Sequence, residues 1–210
     1  CSEILFDKGP EFGCKKPTCA PGCDCDRYLE VWNLVFTEFD RQKDGTFKPL
    51  PKKNIDTGMG FERLLGVLQN VPSPYETDLF QEIWQELEKM INSCHSEPLG
   101  EESFSNNKLS PCGRNDNHTT AFRIICDHIR CAVFLIADGV FPTNDGRGYV
   151  LKRLIRRALR QGNKLEIFNF LEPLALKVID KMKEAYPYLL DKKNICIETL
   201  NQAEKQFAET

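Results

Sequence analysis

The chain has 210 residues, enough for one domain or two small ones, and its 41% hydrophobic and 28% charged residues describe an ordinary soluble protein with a real core. Its 28 basic and 31 acidic residues leave a formal charge of −3, so the average does not mark a nucleic-acid binder. The longest apolar run, Cys131 to Ala137, is too short to span a membrane, and no signal-peptide pattern is present. No Walker-type loop or H-E-x-x-H occurs, and His95, His118 and His128 are too scattered to argue a hydrolase triad. The 10 cysteines are not a secreted disulfide framework, because the chain is long and Cys126 and Cys131 fall in an apolar helical pattern. A reducing, cytoplasmic setting is expected, with an organellar one open.

Cys1 rather than Met opens the sequence, and Ser2 to Phe6 reads as a strand in progress. The chain is therefore expected to be a segment of a longer protein. From Leu29 to Phe39 the residues alternate: Leu29, Val31, Asn33, Val35, Thr37 and Phe39 fall on one face, Glu30, Trp32, Leu34, Phe36 and Glu38 on the other. Lys43-Asp44-Gly45-Thr46 marks a turn, and Phe47 begins a return strand. Near Gly58 a loop or strand gives way to a helix. From Asp78, Leu79, Phe80, Ile83, Trp84, Leu87 and Ile91 keep a helical period. The polar stretch Asn92 to Asn117 reads as a long loop. Thr119 or Thr120 is placed to cap the next helix, which Gly139 and Pro142 end. Further helices are expected over Tyr149 to Gln161, Leu171 to Ala185 and Ile195 to Phe207. The reading is α+β: an incomplete antiparallel sheet over 1–72, then an all-α part over 73–210.

Asp56-Thr57-Gly58-Met59-Gly60-Phe61-Glu62-Arg63-Leu64-Leu65 is the most informative run. A pocket for a nucleotide and an amino group needs such groups. Glycines allow close approach and unusual backbone angles. The helix start offers free N–H groups and a positive dipole end to an anion. Arg63 can lie on a base or fork onto phosphate, and Asp56 can hold an amine. The plain alternative is a glycine turn before an amphipathic helix with Phe61, Leu64, Leu65 and Leu68 inward. Asn33, among apolar neighbours, suits a small amphiphilic ligand or a hydrogen-bonded core amide.

Tyr149 to Gln161 reads YVLKRLIRRALRQ. Val150, Leu151, Leu154, Ile155, Ala158 and Leu159 form one stripe; Lys152, Arg153, Arg156, Arg157 and Arg160 form the other. Such a row gives affinity for phosphates, while choice of sequence falls to neighbours such as Asn144 and Asp145. A solvated face paired with acidic helices is the alternative. Cys14, Cys19, Cys23 and Cys25 give C-x4-C-x3-C-x-C, a donor set for tetrahedral zinc or a loop of free thiols. His128 is expected to serve its own helix, and Asp127 and Arg130 read as exposed charges.

Cys1-Ser2-Glu3-Ile4, Glu30-Val31-Trp32-Asn33-Leu34-Val35-Phe36, Leu50-Pro51, Asp56 to Leu64 and Asn144-Asp145-Gly146-Arg147-Gly148-Tyr149-Val150-Leu151 closely resemble the alanyl-tRNA synthetases, in order and spacing, from residue 1 to about 165. The Cys-rich Gly13–Asp26 insert is similar to bacterial-type members. The resemblance implies a class II catalytic sheet with flanking helices, then a helical domain that recognises the tRNA(Ala) acceptor stem. It implies activation of L-alanine with ATP and Mg2+ to alanyl-adenylate, then transfer to the terminal adenosine of the tRNA. By position, Asp56 would take the alanine ammonium and Asn33, with Val31, would line the alanine pocket. Arg63 matches the motif 3 arginine on ATP, with Gly58 and Gly60 leaving room for the nucleotide. Asn144, Asp145, Arg147, Lys152, Arg153, Arg156 and Arg157 match the region that reads the acceptor stem. Motif 1, most of motif 2 with its arginine, and the editing domain lie outside these residues, so no activation is expected from the 210 residues alone. Lys8 and Glu11 stand where some relatives carry histidines. A non-catalytic RNA-binding relative is the other reading of the same residues. Glu30 falls opposite Asn33 by strict alternation and joins its face only if a bulge turns it; Glu3 is a weaker candidate for the site floor.

Overall fold

The computed structural model describes residues 1–94 and 116–209. They divide into two compact units, Cys1–Thr77 and Asp78–Thr210. In the first unit the 3-10 turn Pro74–Glu76 returns to α1: Ser73 Oγ accepts the Tyr75 N–H, and Pro74 lies against Gly66.

The first unit is a three-stranded antiparallel sheet in the order β1 (Ser2–Asp7), β2 (Tyr28–Arg41), β3 (Phe47–Met59), followed by helix α1 (Phe61–Leu68). The β2–β3 hairpin closes as its turn residues dictate. Asp44 Oδ1 accepts from the Thr46 N–H and hydroxyl at 3.0 and 2.7 Å, and Gly45 takes φ +86°, where a side chain would be strained. Asn33 lies opposite Gly58, and Val35 opposite Asp56.

Strict alternation fails at one place. Ser2, Glu3 and Ile4 face Leu34, Asn33 and Trp32, but Leu5 faces Glu30, leaving Val31 as an extra residue in β2. Directly opposed residues share a face, and Glu3 and Leu5 are two apart, so Glu30 lies on the face of Asn33. The expectation that Glu30 sits opposite Asn33 is therefore corrected, and Leu29 moves to the other face with Ile4, Trp32 and Phe6.

Among the described residues, no apolar side chain before Leu79 is buried. The face carrying Ile4, Phe6, Phe36, Ile55 and Met59 is open, with Ile55 62% exposed. A sheet buries such a face only against a second layer. Phe61 and Leu68 are exposed as well, so α1 does not turn inward the stripe its sequence suggests.

The second unit comprises α2 (Asp78–Cys94), α3 (Asp116–Ala137), α4 (Gly146–Lys164), α5 (Leu171–Met182), α6 (Tyr188–Asp191) and α7 (Lys193–Ala208). Helix α3 begins before Thr119 and Thr120, so neither caps it. The expected loop Asn92 to Asn117 is shortened by both flanking helices, and His95 with the rest of it lies outside the described residues. Helix α5 stops at Met182, and the single turn α6 after Pro187 is an element the periodicity does not show. The core is where α3 packs on α4 and α5, and α5 on α7. Ile125, Val133, Leu151, Leu174, Val178 and Leu200 are wholly inaccessible, each worth about 1.5–3 kcal/mol of burial. Gly162 lets α4 approach closely: a Cβ there would sit 2.2 Å from Phe170 Cε1.

Two polar residues differ in role. Buried His128 places Nδ1 3.3 Å from the Asp127 carboxylate. Arg130, expected to be exposed, is half-buried, its guanidinium 4.9 Å from the Phe80 ring centroid.

Candidate functional site

One face of the sheet collects the polar residues of the first unit. Asn33 lies between Glu3 on β1 and Gly58 on β3, and Asn33 Nδ2 is 3.5 Å from Glu3 Oε1. Asp56 is two residues from Gly58 and so shares its face. No atom lies within 4 Å of where a Gly58 Cβ would be. The result is an open floor at Gly58, flanked by an amide and a carboxylate. Gly58 and Gly60 do not need a left-handed backbone, contrary to one reason for glycine there; Gly60 has φ −73°. Their value is space.

Gly60 makes room for Arg63. A Cβ at 60 would meet Arg63 Cδ at 3.1 Å and Cβ and Cγ at 3.3 Å. The arginine stem thus lies over the strand end, held as the Gly60 N–H donates to the Val31 carbonyl at 3.0 Å. Arg63 Nη1 donates to the Glu30 carbonyl at 2.8 Å and stands 3.8 Å from Glu30 Oε2. The bulge at Val31 is therefore what delivers Glu30 to Arg63. Half of the Arg63 side chain remains exposed, with its other donors available to a ligand. The opposite face is braced by Trp32 Nε1 donating to Thr57 Oγ1 at 2.6 Å, and that hydroxyl donates to the Asn33 carbonyl at 2.8 Å.

The loop between β1 and β2 brings together Cys14, Cys19, Cys23 and Cys25, whose sulfurs all lie within 4.8 Å of one another. Cys14 and Cys23 are 3.7 Å apart, Cys19 and Cys25 3.6 Å. This donor set can hold a metal. N–H groups of Arg27 and Cys14 pull the Cys25 thiol down to about 7. Beside it, Arg27 forks onto Asp7: Nε donates to Oδ1 at 2.8 Å and Nη2 to Oδ2 at 2.7 Å. That pair, with the Gly9 N–H, holds the Asp7 carboxyl down at about 2. Neither Asp7 nor Arg27 belongs to a motif legible in the sequence, for their partnership exists only once the loop closes.

In the second unit α4 buries Leu151, Ile155, Ala158 and Leu159 and exposes Arg153, Arg156, Arg157 and Arg160. Val150, expected in the buried stripe, is 54% exposed. Among the described residues no carboxylate pairs with Arg147, Arg153, Arg156, Arg157 or Arg160, so the row is not neutralised by acidic helices. At its start, Lys152 Nζ donates to Asn144 Oδ1 at 2.8 Å, and the Thr143 hydroxyl donates to the Asp145 carbonyl at 2.9 Å. Gly148 supports this corner: a Cβ would sit 2.2 Å from the Phe141 carbonyl oxygen and from Thr143 Oγ1. A groove of ≈ 840 Å³ flanks the same helix, lined by Arg156, Arg160, Asn163, Phe168 and Lys205. Among the described residues no helix is long and apolar enough to cross a membrane.

A glycine-floored polar sheet face ending at a strand–helix arginine, in a chain that continues into a helical unit with a basic face, fits one class of protein. Residues 1–210 match the family model for class II tRNA synthetases (A), and the chain belongs to that family. It is similar to the alanine–tRNA ligase of Clostridioides difficile (strain 630), 44% identical over 100% of this chain and 22% of that protein. The alanine–tRNA ligases of Natranaerobius thermophilus and Desulfosudis oleivorans are 43% and 41% identical over the same shares. The chain thus spans 22% of the length of the curated relatives it matches.

Proposed function

We propose that these residues form part of a cytoplasmic alanine–tRNA ligase, which activates L-alanine with ATP and transfers it to the 3′ end of tRNA(Ala). The observation that carries the reading is the juxtaposition of Asn33, Gly58 and Asp56 on one face of the sheet, at the end where Arg63 lies on Glu30. Asp56 holds the substrate ammonium. Asn33 and Val31 line the alanine pocket. The alanine carboxylate attacks the α-phosphate in line and pyrophosphate departs; positioning and charge neutralisation govern that step. Arg63 binds the nucleotide, on the base or on phosphate oxygens, in the space beside Gly58 and Gly60. Glu3 and Glu30 are hard oxygen donors on the same face, suited to Mg2+, which when bound neutralises phosphate charge. The terminal adenosine hydroxyl then attacks the activated carbonyl and AMP leaves.

Residues 1–72 are the catalytic part and 73–210 the helical tRNA-recognition part. The unpaired α4 arginines and Lys152 grip acceptor-stem phosphates, while Asn144, Asp145 and Arg147 address base edges. Zn2+ is the ion of the Cys14–Cys25 loop. A pocket for one methyl cannot reject glycine strongly or serine fully, so weak activation of both is part of the reading.

The test is ATP–pyrophosphate exchange by the full-length protein, each amino acid offered separately. Strong exchange with alanine and weak exchange with glycine and serine is expected. Asp56→Ala and Arg63→Ala should lose exchange while keeping their helical signal. A folded protein that exchanges with no amino acid would leave the RNA-binding reading instead.

A further inference from the structure

Two stretches of the β1–β2 ladder disagree by one residue. Next to β3, Ser2, Glu3 and Ile4 pair with Leu34, Asn33 and Trp32; next to the cysteine loop, Leu5, Phe6 and Asp7 pair with Glu30, Leu29 and Tyr28. Continued without interruption, the first register would set Leu5 opposite Val31 and turn Glu30 to the apolar face. Something at the loop end holds the second register against that simpler ladder.

The loop supplies it. Lys8 N–H donates to the Arg27 carbonyl at 2.9 Å, and Arg27 forks onto Asp7. Cys25 is two residues before Arg27, and Gly13 packs where a Cβ would be 3.4 Å from Cys19 Sγ and 3.5 Å from Arg27 Cδ. Tight turns carry two of the ligands: the Cys19 N–H donates to the Lys16 carbonyl and the Cys23 N–H to the Ala20 carbonyl, each at 3.0 Å. A Zn–S bond of about 2.3 Å gives a tetrahedron with edges of about 3.8 Å. The pair separations of 3.7 and 3.6 Å approach that edge and lie far from a disulfide bond.

We propose that a zinc ion held by Cys14, Cys19, Cys23 and Cys25 fixes the register of β1 on β2, forces Val31 out as a bulge, and so keeps Glu30 on the site face under Arg63. The cysteines are thereby positioning residues for the nucleotide end of the site, a role that rests on the alanine–tRNA ligase reading. The register itself does not.

The experiment uses the full-length protein, wild type and Cys14→Ser/Cys23→Ser, with thiols kept reduced. Metal analysis is expected to show one zinc equivalent fewer in the variant. In exchange assays the KM for ATP should rise about tenfold or more, with the KM for alanine little changed. Chelated wild-type protein should behave alike, and added Zn2+ should restore the chelated wild type but not the variant. A crystal structure of the zinc-free protein should place Leu5 opposite Val31. Equal zinc in both proteins overturns the metal site. Zinc loss with Leu5 still opposite Glu30, or with an unchanged KM for ATP in an active enzyme, overturns the register role. An inactive wild-type enzyme whose register still shifts on zinc loss would instead overturn the ligase reading alone. Should the double variant fail to fold, chelation of folded wild-type protein gives the same comparison.

Discussion

Replacing Gly58 separates stability from function more sharply than any other change at the site. Gly58 sits in β3 opposite Asn33, its φ outside the left-handed region, and a Cβ built on it meets nothing within 4 Å. Gly58→Ala should therefore be neutral or stabilising by about 0.4–1 kcal/mol, since the unfolded chain loses freedom and no native contact is strained. Gly58→Val adds a strand-favouring residue to the same open space and should fold as well. On the proposed function, both place carbon in the space left for the nucleotide. Overpacking a ligand contact costs about 1–3 kcal/mol, here borne only by the ligand complex, so kcat/KM for ATP should fall roughly 5- to 150-fold, more for Val than for Ala. Thermal unfolding and alanine-dependent exchange of the full-length protein measure the two quantities together. A lower melting temperature with both substitutions would show that the space is not open. Unchanged exchange with Gly58→Val would show that the nucleotide lies elsewhere.

The Asp7–Arg27 pair predicts a pH response. The Asp7 carboxyl is held at about 2, below its ordinary 3.8, chiefly by the Arg27 guanidinium, so its contribution is complete above the unfolded value and lost as pH falls through about 2. Melting temperature measured from pH 5 downward should fall less steeply in Asp7→Asn. Arg156→Ala/Arg157→Ala should weaken RNA binding and lower the slope of log affinity against log salt by about 0.7–0.9 for each phosphate no longer neutralised, as filter binding across a salt series would show. A slope equal to wild type would remove those arginines from the interface. Gly148→Ala drives a methyl into the Phe141 carbonyl and Thr143 Oγ1, each 2.2 Å from the Cβ position, and should cost about 1–3 kcal/mol in denaturant unfolding. Gly146→Ala meets no atom and bears only its φ of +55°.

How much the sequence discloses depends on the range of the interaction. The hairpin at Asp44-Gly45 is legible because turn chemistry is local. So is the division of α4 into a buried and a basic face, since a helix repeats its pattern over many residues. The placement of Val150 is not, because the stripe's edge is set by how α3 lies on α4, which no single helix records. Asn33, Asp56, Gly58 and Arg63 are legible as a group through their motif. Glu30 is not placed correctly, because alternation assumes one uninterrupted ladder. The interruption comes from residues 8–27, whose closure sets a register that residues 29–39 do not encode. The single turn α6, which buries Leu189, similarly depends on packing beyond its own window.

The chain contains two tryptophans, and they report on different places. Trp32 is half-buried on the sheet, its indole N–H on Thr57, one residue from Asn33. Trp84 belongs to α2, its ring 4.7 Å from that of Phe122 and its N–H 3.0 Å from Glu88 Oε1. Each unit thus carries its own intrinsic fluorophore. A Trp84→Phe protein emits, within these 210 residues, from the sheet beside the proposed alanine pocket, and a Trp32→Phe protein from the helical unit. Titrations with a small ligand or with RNA can then be followed by light from one unit at a time, without any added label.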